Sequence, residues 1–376
     1  MKTSPASAAG PWRLGELRRL PAMQVEQTAP GRRRIYYENE PLEGRPTRVY
    51  ACYACPPGAR EKLPAMVLIH GGGGRAFPEW TELWAGRGYA AIAMDLGGKD
   101  HNGQSFDGSG PGQDHTDKFD AIARGVEHAW PYHAVAAVLR ATTVLAAQPE
   151  VDPARIGATG ISWGGYLASL VAGLDDRLRF SIPVYGCGFL GHNSAWLPNF
   201  ASLGPSLAKL WLDHFDPSVY LPRARCPMFW VTGTNDFAYP LDSHRMSCRA
   251  APGPRTLRVT VKMPHGHSSG WAPAEIGLFA DSLLKGGRPL PRLGPLQVSD
   301  GAVETSFDAD VPLFKAQLHN TTDTGPWQTR NWATVPAEII GNRVRATLPP
   351  QRPLVAFLTV TDSRQATVST EYEEIL

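Results

Sequence analysis

Cysteine is scarce in this chain of 376 residues, with five in all: Cys52, Cys55, Cys187, Cys226 and Cys248. An odd, scattered set excludes a disulfide framework. Cys52-Tyr-Ala-Cys55 has the C-x-x-C spacing of zinc and redox sites, but no second pair accompanies it and it lies in a strand-like run, so buried structural cysteines are expected. A Cys187–Cys226 bridge is conceivable, with nothing to support it. Charge of one sign is missing too. Lys and Arg number 37 against 35 Asp and Glu, and the only run is Arg32-Arg33-Arg34. That excludes the electrostatic footprint of a nucleic-acid or anionic-membrane binder. No apolar run reaches the length of a membrane-spanning helix. Residues 1 to 10 are small and polar with one Lys, so no signal peptide is expected there. The compartment stays open between cytoplasm and a secreted chain whose leader has been removed. Internal repeats are lacking as well.

Plentiful Gly (38) and Pro (34) call for many turns, and 43% hydrophobic residues suffice for an ordinary core. Residues 1–30 read as an irregular extension. Beyond them strands and helices alternate. Arg34–Tyr37 and Arg48–Tyr53 are β-rich runs, and Met66–His70 and Tyr89–Asp95 are continuous apolar strands. A Gly/Asp/His-rich loop spans 97–117. A helix over Ala134–Ala147, broken by Asp152-Pro153, precedes the short strand Arg155–Thr159. Leu167, Leu170, Val171 and Leu174 repeat at helical spacing. Strands over Phe180–Tyr185, Met228–Thr232 and Leu257–Met263 and a helix over Glu275–Leu284 follow. The alternation predicts an α/β domain over 31–288 with a mostly parallel sheet covered on both faces. Residues 187–225 are too long for a simple connection and read as a cap over the site. After Gly286-Gly-Arg-Pro289 the helical period disappears. Residues 295–376 read as a small antiparallel β-sandwich.

Gly160-Ile161-Ser162-Trp163-Gly164 lies between a strand and a helix, the context of a nucleophile elbow. The tight turn needs small flanking residues and lifts the Ser162 hydroxyl above the sheet edge. A serine hydroxyl needs a base to take its proton. Asp236, in Gly233-Thr-Asn-Asp236, follows a strand and suits the acid, with Asp242 as a nearby substitute. The loop after the last strand, Pro264-His265-Gly266-His267, offers two histidines. His267 is favoured as base because Gly266 permits a tight turn that swings its ring inward; His265 then supports the loop or touches substrate. His70-Gly71-Gly72-Gly73-Gly74 ends a buried strand and suits an oxyanion loop. Backbone amides of Gly72 (or its neighbour Gly73) and Trp163 are the expected donors, and His70 orders the loop. No Lys-Ser/Thr follows these glycines, so a phosphate loop is excluded. No third ligand accompanies the two histidines, so no metal is expected.

Together these segments resemble the dienelactone hydrolase/acetyl xylan esterase branch of the α/β-hydrolases, near the prolyl oligopeptidase-type catalytic domain. The resemblance covers about residues 32–288, on Ile69–Gly74, Gly88–Asp95, Val151–Gly157, Gly160–Gly165, Gly233–Asp236 and Pro264–His267. It implies an α/β-hydrolase fold, a Ser-His-Asp serine esterase and no cofactor. The dienelactone hydrolases themselves use Cys where this chain has Ser162, which favours ester over lactone chemistry. The sandwich resembles accessory modules of carbohydrate-active enzymes. A carbohydrate acetyl or methyl ester is therefore the expected substrate, with Trp163, Trp196, Trp271 and His192 available to touch sugar rings and Trp230 assigned to the core. Two rivals remain: a prolyl oligopeptidase-type peptidase, against which residues 1–65 are too few for a propeller, and an inert glycan-binding protein.

Overall fold

The computed structural model describes residues 10–376. The expected irregular extension is corrected over residues 10–30, which hold a short helix α1 (Leu14–Leu17) and a strand β1 (Met23–Ala29) paired antiparallel with β2 (Arg32–Leu42). The part of that extension before Gly10 lies outside the described residues. Exposure hides β1 from a sequence reading: all its residues face solvent, and its apolar residues Met23, Val25 and Ala29 are too sparse to mark a buried face. β3 (Arg45–Ala54) continues the antiparallel edge.

The core follows. β4 (Leu63–Ile69) leads through α2 (Pro78–Gly86) to β5 (Ala90–Met94), and the loop after β5 carries α3 (His115–Lys118). α4 (Trp130–Ala146) then crosses to β6 (Val151–Ile161), and α5 (Trp163–Ala172) to β7 (Leu178–Val184). α6 (Leu197–Phe215), kinked at Gly204-Pro205, occupies the stretch expected as a cap. β8 (Met228–Gly233), α7 (Leu241–Ala250), β9 (Arg255–Thr260), α8 (His267–Trp271) and α9 (Ala274–Leu284) complete the hydrolase part. Strands β5-β4-β6-β7-β8-β9 run parallel in that order, with β3-β2-β1 antiparallel at one edge. Ala65 to Ile69 are fully buried because helices cover both faces of the sheet. β6 is central, between β4 and β7, and its C-terminal end is the point from which the site is built.

The C-terminal part contains short strands β10 (Arg292–Leu293), β11 (Gln297–Ser299), β12 (Ala302–Asp308), β13 (Leu313–Thr321), β14 (Ala333–Pro336), β15 (Glu338–Ile340), β16 (Arg343–Thr347), β17 (Leu354–Asp362), β18 (Thr367–Ser369) and β19 (Glu373–Ile375). They form two antiparallel layers, as expected of a sandwich. One is β10-β12-β16-β15, with β11 on β12; the other is β18-β17-β13-β14, with β19 on β17. Val303, Val344, Leu318 and Leu358 are fully buried in the core cluster that includes both layers. The second layer extends the hydrolase sheet, because β18 pairs antiparallel with β9 at Ser369–Leu257. All five thiols are free, and Cys187 and Cys226 are unbridged. No helix among the described residues is long and apolar enough to cross a membrane.

Candidate active site

Ser162 sits at the turn from β6 to α5 with φ 59° and ψ −118°, a strained conformation for a residue with a side chain. Packing enforces the strain. A Cβ at Gly160 would collide with the Gly164 carbonyl, and one at Gly164 with the Ile69 carbonyl. The turn can pass between β4 and β7 only without side chains at these two positions.

Asp236 follows β8 and is almost fully buried. Its Oδ1 accepts from the amides of Ala238 (2.9 Å) and Tyr239 (2.8 Å), which leaves Oδ2 facing a histidine. That histidine is His265. Its Nδ1 lies 2.7 Å from Asp236 Oδ2 and its Nε2 lies 2.9 Å from Ser162 Oγ. The expectation for His267 is thereby corrected. Gly266 does not make the tight turn invoked for it: at φ −172° and ψ 163° it is extended backbone that any residue adopts. His265 therefore leaves the loop toward Ser162, stacked on Tyr185 at 4.5 Å, while His267 becomes the first residue of α8.

His267 instead holds the glycine loop. Its Nε2 accepts the Gly71 amide at 3.0 Å, and burial pulls its pKa down to about 4, so it is a neutral acceptor. His70 does as expected. Its Nδ1 is 2.7 Å from the Gly71 carbonyl, its Nε2 accepts the Leu96 amide at 2.8 Å, and burial lowers its pKa to about 4. In the loop the Gly73 amide goes to Gln113 Oε1 (3.2 Å) and the Gly74 amide to the Gly71 carbonyl (3.1 Å). Of the two amides weighed from sequence, Gly73 is thus engaged, and Gly72 is the loop amide that meets no acceptor among the described residues. The Gly72 backbone lies beside the Trp163 ring, since a Cβ there would be 3.1 Å from Trp163 Cδ1.

The aromatic residues divide. Trp196, at the entrance to α6, packs on Trp163 at 4.5 Å and on Tyr239 at 4.7 Å. Trp271 packs on Phe77 and Trp80, both at 5.3 Å, in a group behind His267. His192 is exposed, 3.9 Å from Asp242 Oδ2. Asp242 accepts from Asn193 Nδ2 and so holds the cap loop, not a catalytic ring. Trp230 is buried in the core as expected. Sequence reading missed Phe237, which is 59% exposed and 4.7 Å from the His265 ring. Its position directly after the acid was the available signal. No group of three metal-ligating side chains is found among the described residues.

Residues 34–194 match the family model of acetyl xylan esterase (AXE1). Among solved structures, the acetyl xylan esterase from Paenibacillus sp. R4 superposes with a TM-score of 0.56 at 21% identity, over 68% of this chain and 87% of that one. Acetyl xylan esterase 1 from Thermoanaerobacterium sp. JW/SL YS485 gives 0.55 at 16%, over 74% and 95%. A puromycin-hydrolyzing peptidase of Mycobacterium tuberculosis gives 0.53 at 20%, over 70% and 41%. The uncharacterized peptidase YuxL of Bacillus subtilis (strain 168) is 24% identical over 197 residues, 48% of this chain. The chain matches about a quarter (27%) of that relative's length. At these identities the structural likeness shows the α/β-hydrolase fold.

Proposed function

We propose that this chain, an α/β-hydrolase-fold protein resembling the acetyl xylan esterases, is a serine carboxylic-ester hydrolase acting on acyl esters of a carbohydrate. The observation that carries the reading is the hydrogen-bonded row Ser162–His265–Asp236 at one sheet edge. In the mechanism, Ser162 Oγ attacks the ester carbonyl and passes its proton to His265 Nε2. Asp236 keeps the His265 Nδ1 proton in place and stabilises the imidazolium. The amides of Gly72 and Trp163 receive the oxyanion, supported by the N-terminal end of α5. His265 protonates the leaving alkoxide, then activates water to release the acyl group. No metal or cofactor takes part. Trp196 and the exposed Phe237 offer flat faces for a sugar ring, and the acetyl xylan esterase match supports an acetyl ester.

Hydrolysis of p-nitrophenyl acetate by the wild type, with kcat reduced roughly 10⁴-fold or more in Ser162→Ala, is the expected outcome. A wild type inactive on every acyl ester and unlabelled by a fluorophosphonate probe overturns the reading. The peptidase relatives support a second reading, an amidase using the same row. Turnover of short proline-containing amides in preference to esters would select it.

A further inference from the structure

Lys118 ends α3 on the loop that follows β5, and the residue is 9% exposed. Its ammonium lies 4.9 Å from the Trp163 ring and 5.5 Å from the Trp130 ring. A Cβ on Gly72 would come within 3.9 Å of Lys118 Nζ. The charge therefore stands against the same wall that carries the Gly72 and Trp163 amides. Among the described residues Nζ has neither a hydrogen bond nor a carboxylate within ion-pairing distance. Asp114, the N-cap of α3, acts on it only at longer range and spends an oxygen on the Asp117 amide. The stem of Lys118 is buried against the indoles while Nζ itself still meets solvent, so the cation is partly desolvated with no carboxylate beside it, which is costly. Burial lowers its pKa to about 8, which leaves it charged at neutral pH. The indole faces satisfy one side of the cation and leave its other side open to solvent, where an incoming anion replaces water.

We propose that Lys118 is a specificity-determining residue that selects esters bearing a carboxylate close to the scissile bond, the substrate supplying the missing anion. This rests on the ester-hydrolase reading and narrows it: a uronate-type alcohol or a dicarboxylic half-ester is favoured over a neutral acetate. The two backbone amides already serve the oxyanion of every ester alike. A further fixed charge beside them discriminates only if the substrate carries the opposite one.

The test uses the full chain and two matched pairs of esters. Monoethyl succinate against ethyl butyrate places the charge on the acyl side. 4-Acetoxybenzoate against its methyl ester places it on the alcohol side. The wild type is expected to prefer the charged member of at least one pair. In Lys118→Met the charged-to-neutral ratio of kcat/KM for that pair falls about tenfold or more. Lys118→Gln reports the same if the Met variant does not fold. The responding pair identifies which half of the ester carries the anion. A ratio unchanged in both pairs overturns the proposal, including the case where both members slow equally, because Lys118 then serves the oxyanion alone. If the wild type turns over none of the four, the ester-hydrolase reading has failed. Calorimetric binding of succinate then decides the inference: weaker binding by Lys118→Met supports it, and equal or absent binding overturns it.

Discussion

His265 and His267 sit one residue apart and meet opposite demands. His265 bridges a carboxylate and a hydroxyl, the place that the proposed mechanism gives to the base. His267 accepts a backbone amide and is held neutral by burial, the first cause of its lowered pKa. Under the proposed mechanism, His265→Gln lowers kcat on p-nitrophenyl acetate roughly 10⁴-fold or more. His267→Gln loosens the Gly71 amide and costs on the order of tenfold, since a glutamine oxygen can still accept. Steady-state rates on both variants check this, and the reverse ranking would sink the assignment of His265. Ser162, Asp236 and the glycine loop were legible because each follows an apolar strand and must emerge at the same sheet edge. The choice of histidine was not, because it turned on the φ of Gly266, and glycine permits any φ.

At the element scale, the loop after β8 does two jobs. Asp236 faces His265, while its neighbour Asn235 faces the C-terminal part. Asn235 Nδ2 donates to the carbonyls of Trp327 (3.3 Å), Gln328 (3.1 Å) and Arg330 (2.8 Å), and Asn235 Oδ1 accepts from Thr234 Oγ1 at 2.6 Å. Arg330 in turn covers the Trp327 ring at 3.7 Å. The connection between β13 and β14 thus clamps the strand end that carries the acid. Asn235→Ala removes the donor of the Gln328 and Arg330 carbonyls, while the Trp327 carbonyl keeps the Arg330 amide, a loss of about 1–3 kcal/mol. Its expected signature is a lower kcat with KM on p-nitrophenyl acetate held, together with a depressed Tm. A fall in Tm with kcat intact would mean that the clamp stabilises the fold without positioning Asp236. Nothing in Gly233-Thr-Asn-Asp236 announces this clamp, because its partners are backbone groups some 90 residues later in the chain, as the separations of 92, 93 and 95 show. The short edge elements escaped for a related reason: β1 is held by backbone pairing with β2 and buries no apolar face.

At the scale of the whole molecule, the sandwich is an extension of the hydrolase sheet, and one run of sequence already hinted at this. Leu354-Val-Ala-Phe-Leu-Thr-Val360 is nearly continuous in apolar residues, whereas the outer strand of a free-standing sandwich alternates. The structure gives the reason: Leu354, Ala356, Leu358 and Val360 join the main core, while Val355 and Phe357 pack with Leu241, Val259, Trp327 and Tyr372. Joined in this way, both parts hold neutral histidines in their interiors, and acid should act on them together. Burial lowers His70 to about 4, His244 to about 3 and His319, in β13, to about 4, with His267 also near 4. In the unfolded chain each ring titrates near 6.5. Between those values the unfolded chain binds more protons, so stability falls as pH drops. For the fully buried His70 and His244 the slope approaches roughly 1.4 kcal/mol per pH unit each. Asp95 acts in the opposite sense. Burial raises it to about 6 from 3.8, so the folded state holds its proton more tightly and gains stability over that span. Burial lowers His133 and His214 as well and raises Asp117, so six rings stand against two carboxyls and leave a net loss. The urea midpoint is therefore expected to stay level above pH 7 and to fall steadily from about 6.5 to 4.5. Tyrosine or tryptophan fluorescence at four or five pH values measures it, and a midpoint that holds or rises across that window contradicts the burial of neutral rings on which the argument stands.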